Sequence, residues 1–180
     1  MKKLTWKDGT VINVKLREDL FTLAQMRLNH CMQFFDIRNS DGIWQGIDLN
    51  SIKPLFCAFV AENRLKPLFV ETLPGDKVIP NHRPMPNRMI KYRFGGEGNN
   101  KADLVELDEG SSGINARVIR ANLTTENDLD TIYKYEYVGM IGDPEKLRKR
   151  LVRYFDTGVN WDDSKAFIFA GIQPPPANYV

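Results

Sequence analysis

The chain has 180 residues, 42% hydrophobic and 27% charged, an ordinary balance for a soluble globular protein of one domain. No apolar stretch approaches the roughly 18 residues of a membrane span, and its two cysteines, Cys31 and Cys57, are too few for a disulfide framework or a zinc site. The formal charge of +2 conceals an asymmetry: 15 Lys/Arg against 9 Asp/Glu over residues 1–96, 3 against 8 over 97–130, and 7 against 6 over 131–180.

Residues 6–37 read as three consecutive strands on short turns. Ile12, Val14 and Leu16 alternate with Val11, Asn13 and Lys15, the period-2 pattern of a half-buried strand. Asp8-Gly9 is a turn signal before this run, and Arg17-Glu18-Asp19 is a polar break after it. Runs at 20–28 and 32–37 follow at hairpin distance, which predicts an antiparallel meander. A loop at 39–42 and a mixed segment at 44–50 come next. Residues 55–61, LFCAFVA, are apolar on both faces and predict a central strand. A further strand is expected at 65–73, interrupted by Pro67. Four prolines within 74–86 exclude a helix or a central strand there and leave a basic loop.

A strand resumes at 88–94, and GGEGNN at 95–100 reads as a turn or a flexible hinge. Residues 103–108 suit a short strand or a helical turn, and Val118 and Ile119 favour a strand at 115–123. Thr124-Thr125-Glu126 looks like a helix start, with Leu129, Ile132 and Tyr133 on one face. The clearest helix is 144–155. Asp143 is its N-cap, Pro144 its first residue, and Gly158 lies just past its end. Leu147, Leu151, Tyr154 and Phe155 make one apolar stripe along it. A short strand at 167–169 and an extended Pro174-Pro175-Pro176 tail complete the chain. These elements predict a β-rich α+β protein. An antiparallel curled sheet or small SH3-like barrel lies at the N-terminal end, with one or two helices, near 126–135 and 144–155, packed on it. The expected organisation is a single domain, 1–180, with a meander core at 1–73, a Pro/Gly-rich loop region at 74–100 and a mixed part at 101–180.

No catalytic constellation converges. His30 and Cys31 are adjacent, and neighbouring residues of a strand point to opposite faces, so Cys31 reads as a small buried residue and His30 as a solvated turn residue. His82 sits in the Pro-rich loop beside Arg83; as a general base it lacks a nameable partner. FGGEGNNK has glycines but not the Lys-Ser/Thr of a phosphate loop. The acid pairs Asp162-Asp163 and Asp128/Asp130 lack a third ligand at loop spacing. No cofactor or metal is therefore expected. Lys146, Arg148, Lys149, Arg150 and Arg153 give the 144–155 helix a basic face, which either tracks a phosphate backbone or is simply solvated. The acidic stretch ADLVELDE, with Asp103, Glu106, Asp108 and Glu109, is the opposite case. The opposed charge blocks point either to recognition between charged surfaces or to blocks that intermix in space and cancel.

GTVINVKL, LFTLAQMRL and FFDI, followed after a gap by LFCAFV, resemble the immunity protein 26 family over roughly the first 75 residues, with a leading Gly9 and an Asp36 closing the third strand. Members of that family are cognate antidotes of bacterial polymorphic toxins, including those of contact-dependent growth inhibition systems. The resemblance implies a cytoplasmic protein, not an enzyme, that neutralises the C-terminal domain of one toxin by stoichiometric binding. No catalytic residue is carried over. If the toxin is a nuclease with a basic cleft, the expected contact surface is the acidic segment 97–130, with Glu97, Asp103, Glu106, Asp108 and Glu109 facing the partner. The alternative is a nucleic-acid-binding small-barrel module using the basic segment 83–93 (Arg83, Arg88, Lys91 and Arg93) and the basic helix. The N-terminus has two lysines but no apolar run behind them, so no signal peptide is expected.

Overall fold

A computed structural model describes residues 5–94, 101–108 and 116–179. In chain order the strands and helices are β1 (Val11–Arg17), β2 (Leu20–Met26), β3 (Cys31–Asn39), β4 (Ile47–Asp48), β5 (Pro54–Val60), α1 (Glu62–Leu65), β6 (Phe69–Leu73), β7 (Val78–Ile79), β8 (Arg88–Arg93), β9 (Lys101–Glu106), β10 (Arg117–Arg120), α2 (Thr125–Lys134), β11 (Met140–Ile141), α3 (Pro144–Thr157) and α4 (Lys165–Ile168). The fold is α+β and β-rich. The chain divides into two compact units, Met1–Met85 with Met140–Val152, and Pro86–Gly139 with Arg153–Val180. Among the described residues no helix is long and apolar enough to cross a membrane.

The first unit is built on the meander. β1, β2 and β3 pair antiparallel, with Ile12 opposite Ala24 and Gln25 opposite Gln33. β5 adds beside β3, β6 beside β1, and β11 joins β5 in parallel, giving the order β11-β5-β3-β2-β1-β6. β5 and β6 are consecutive in the chain yet four strand spacings apart, about 19 Å in a flat sheet. Between them, α1 and the 3-10 turn Lys66–Leu68 advance only about 12 Å along their axes. The connection therefore requires the sheet to curl.

More of the meander is buried than the period-2 pattern predicts. β1 is not half-buried: Val11 and Asn13 are as buried as Ile12 and Val14. The cause is the loop after β3, which folds over that face and brings Trp44 with it. Trp44 Nε1 donates to Asn13 Oδ1 at 3.0 Å, and Asn13 Nδ2 donates to the Gly42 carbonyl at 2.9 Å. Val11, Phe21, Leu23, Phe35, Trp44, Leu49, Leu73 and Val78 form the apolar core beneath. Gly42 holds φ +70°, and an added Cβ would lie 2.8 Å from the Phe21 ring. Gly42→Ala is expected to lower stability by about 2 kcal/mol through left-handed strain and this clash, read as a shift of the urea midpoint.

Three local expectations are corrected. The run at 20–28 ends at Met26, because Leu28–His30 form a 3-10 turn with Asn29 and His30 both at φ 57°. The strand expected at 65–73 starts only at Phe69, since residues before it are helical around Pro67. The final strand at 167–169 is absent: Lys165–Ile168 is a helical turn. Its spacing explains the difference. Lys165 and Phe169, four residues apart, are buried together, and Lys165 Nζ donates to the Ile132 carbonyl at 2.7 Å while Phe167 is exposed.

The second unit pairs β8, β9 and β10 antiparallel in the order β10-β9-β8. Its core joins Ile90, Ala102, Leu104, Leu123, Ile132, Trp161, Phe169 and Ile172. Thr124 caps α2 by accepting from Asn127 N. The buried face of α2 is Asp128 and Ile132, not Leu129, because the backbone of Asp128 leaves the helical range. Asp143 caps α3 as expected, accepting from the N–H groups of Glu145 and Lys146 at 2.9 and 3.2 Å. Leu147, Leu151 and Phe155 are buried along its length.

Candidate interaction surface

The charge blocks separated in sequence meet in the sheet of the second unit. Antiparallel pairing of β8 with β9 sets Arg88 opposite Glu106 and Lys91 opposite Asp103. Pairing of β9 with β10 sets Arg117 opposite the same Glu106. Glu106 is therefore held from both sides, by Arg88 Nε at 3.5 Å and by a direct contact with Arg117. The Arg117 hydrogen bond keeps the Glu106 carboxyl below the usual carboxylate range.

Asp103 is not a surface acid. It is 3% exposed, and its carboxylate takes Arg93 on both oxygens, at 2.8 and 3.0 Å, together with the Asn122 N–H at 2.8 Å. Asp103 and Glu106 lie three residues apart on one strand, so they point to opposite faces of the sheet and form no single acidic patch. Asp108, beyond the end of β9, is exposed. Glu97 and Glu109, also expected at the contact surface, lie outside the described residues, as does the 95–100 turn.

The other candidate acids are engaged too. Asp128 is buried, pairs with Arg120 at 2.7 Å and accepts from the Thr124 N–H at 2.9 Å. Asp130 accepts from the Tyr179 hydroxyl, which raises the Tyr179 pKa. Asp163 pairs with Arg153 at 2.8 Å, and Asp162 accepts from the Ser164 N–H.

The basic residues are similarly occupied. Arg83 donates to the carbonyls of Leu49 and Ile52 and to Asn81 Oδ1. On α3, Arg148 pairs with Glu145, and Arg150 is buried with its guanidinium 3.6 Å from the Phe56 ring centroid. Lys146 and Lys149 stay exposed. His30 packs against Trp6 with its ring tilted and lies 3.5 Å from Glu62, whereas His82 is exposed with its backbone N–H on Asn50. His30 thus faces Trp6 and Glu62, while Cys31, its neighbour in sequence, is buried.

What the charge pattern missed is β10. All four of its residues are exposed, and Val118 and Ile119 retain 53% and 38% of their surface. β10 occupies the edge of its sheet, and among the described residues no strand pairs with its outer side. Its register on β9 shifts between Val118 and Arg120, a bulge that displaces Ile119 from the ladder. The strand is held by β9 and by the ion pairs of Arg117 and Arg120, not by burial. The signal was present in RVIR itself: two adjacent apolar residues between arginines lack the alternation of a strand with one buried face. Chemically, the strand offers two exposed apolar side chains, framed by paired guanidinium groups.

Neither a curated protein nor a solved structure matches this chain. One family pattern matches residues 1–174, and the chain belongs to that family, described as a domain of unknown function (DUF8309).

Proposed function

We propose that this protein is a cytoplasmic immunity protein, which neutralises the C-terminal domain of a cognate bacterial toxin by stoichiometric protein–protein binding and without turnover. The observation that carries the reading is the exposed β10 strand: two large apolar side chains, Val118 and Ile119, left uncovered within the segment 97–130 that the charge pattern singles out. The resemblance of residues 6–37 and 55–60 to the immunity protein 26 family supplies the class. The contact is centred on Val118 and Ile119, with Asp108 at its rim and the ion-paired Arg117 and Arg120 framing it. This differs from a surface of free carboxylates, because Asp103 and Glu106 already serve arginines of their own sheet.

The test is coexpression with the C-terminal domain of a polymorphic toxin encoded beside the gene, scored by growth and by isolation of a one-to-one complex. Replacing both Val118 and Ile119 by Glu should weaken binding at least about tenfold, as for a central apolar contact, while the unfolding midpoint stays close to that of the parent. Asp108→Lys should change mainly the association rate and its salt dependence. Unaltered affinity of the double variant would move the contact away from β10. Failure of the parent protein to protect against the adjoining toxin would overturn the reading itself.

The nucleic-acid alternative draws on Arg83, Arg88, Lys91 and Arg93 and on Lys146, Arg148, Lys149, Arg150 and Arg153 of α3; Arg83, Arg88, Arg93, Arg148, Arg150 and Arg153 are engaged by partners within the chain, whereas Lys146 and Lys149 stay exposed. A binding titration across salt distinguishes it, since phosphate contacts would give a steep loss of affinity as salt rises.

A further inference from the structure

Cys31 and Cys57 lie on neighbouring strands of the six-stranded sheet. Cys57 is directly opposite Gln33, and Cys31 is two residues before Gln33 on β3. The two thiols therefore share one face and occupy diagonal positions, near enough for the Cys57 thiol to hydrogen-bond Cys31. Both are free and buried, at 2% and 3% exposure.

Their surroundings are not those of inert core thiols. The same face carries a buried polar network. Arg27 Nη1 donates to Gln33 Oε1 at 2.8 Å, Asn81 Nδ2 donates to the same oxygen at 2.8 Å, and Gln25 pairs with the Asn81 backbone. The Arg27 guanidinium is buried, and its Nε has no hydrogen-bond partner; its nearest acid is Asp8 at 3.6 Å. The hydrogen bond from Cys57, aided by the positive charge of Arg27, holds the Cys31 thiol below its ordinary pKa against the opposing effect of burial. Cys31 is also the first residue of β3, directly after the exposed turn Leu28–His30, where Asn29 and His30 hold left-handed backbone.

We propose that Cys31 and Cys57 are a reversible oxidation site, in which Cys31 reacts with a hydroperoxide and Cys57 resolves it to an intramolecular disulfide joining β3 to β5. The Cys31 thiolate attacks one peroxide oxygen, the O–O bond breaks, and the departing oxygen leaves as hydroxide and takes up a proton. Cys31 is then a sulfenic acid. The Cys57 sulfur displaces the sulfenic oxygen as water, so that the S–S bond forms as the S–O bond breaks. For hydrogen peroxide the balance is two thiols and one peroxide to one disulfide and two waters. Diagonal strand neighbours stand about 7–8 Å apart at Cα, beyond the common disulfide range of about 4.4–6.8 Å, so closure draws β3 and β5 together and leaves a readily reduced bond.

The experiment is titration of the whole protein with hydrogen peroxide, followed by denaturation, maleimide labelling and intact mass measurement. The expected product has lost two hydrogens, takes no maleimide, and regains two reactive thiols with dithiothreitol. In Cys57→Ser, dimedone should capture a sulfenic acid at Cys31. In Cys31→Ser, Cys57 should stay reduced under the same dose. Peroxide-treated parent protein that keeps two labelled thiols overturns the proposal, as does a sulfonic acid at Cys31 with Cys57 free, or a disulfide between two chains. The mass readout on the parent protein does not depend on whether either variant folds.

Discussion

Asp103→Ala should destabilise the second unit by about 3 kcal/mol, the lower end of the range for breaking a buried ion pair, because Arg93 on the other side of the pair is half-exposed. The substitution removes a bidentate partner from Arg93 and the acceptor of the Asn122 N–H in one step. Hydrogen exchange across β8 and β9 is the measurement, since it reports opening of that sheet directly. Glu106→Ala is the control. Its partners Arg88 and Arg117 are substantially exposed, and the loss should be much smaller than for Asp103 despite the two ion pairs. Equal losses in the two variants would show that burial does not separate these acids. The same contrast governs binding studies: reversing Asp103 tests the fold, whereas changing Val118, Ile119 or Asp108 tests the surface.

The second large effect is expected at Asn81. Asn81→Leu should cost about 3 kcal/mol, because it strips a partner from buried Gln33 and from the Arg83 guanidinium without supplying one. The Asn81 side chain links β3 to the Pro-rich loop, and its oxygen accepts both the backbone N–H and Nε of Arg83. Urea denaturation of the full chain measures the loss. His82→Ala, one residue on and exposed, should lie within about 0.5 kcal/mol of the parent. If both variants were equally mild, the loop would be held by its prolines and its backbone pairing with Gln25 instead. That loop illustrates the limit of reading composition. Its prolines exclude regular structure correctly, apart from the two-residue β7, but its basic character suggested a phosphate-binding surface. In the folded chain Arg83 turns inward to two carbonyls of the preceding loop.

Elements specified by neighbours within one or two turns were legible. β1 to β3 follow from alternation and turn residues, β5 from a run apolar on both faces, and α3 from Asp143, Pro144 and Gly158. Errors arose where a distant partner overrode a local preference. Phe167, Ile168 and Phe169 favour a strand by residue type, but the anchoring of Lys165 on the Ile132 carbonyl, 33 residues away, sets a helical turn. Leu129 suits an apolar helix face, yet Asp128 takes the inner position because Arg120 and the Thr124 N–H receive its carboxylate.

The sequence by itself determined the α+β class, the antiparallel meander and the capped helix, since periodicity, turns and caps act between residues close along the chain. Only the tertiary structure decided what the charges do. Strand register brings Arg88 and Arg117 onto Glu106, and Arg93 onto Asp103, across separations of 10 to 18 residues that no local pattern encodes. Charge blocks that are separate in sequence thus neutralise one another within one sheet. Among the described residues of the segment 97–130, β10 is left uncovered because it stands at the edge of its sheet, a place that only strand pairing assigns.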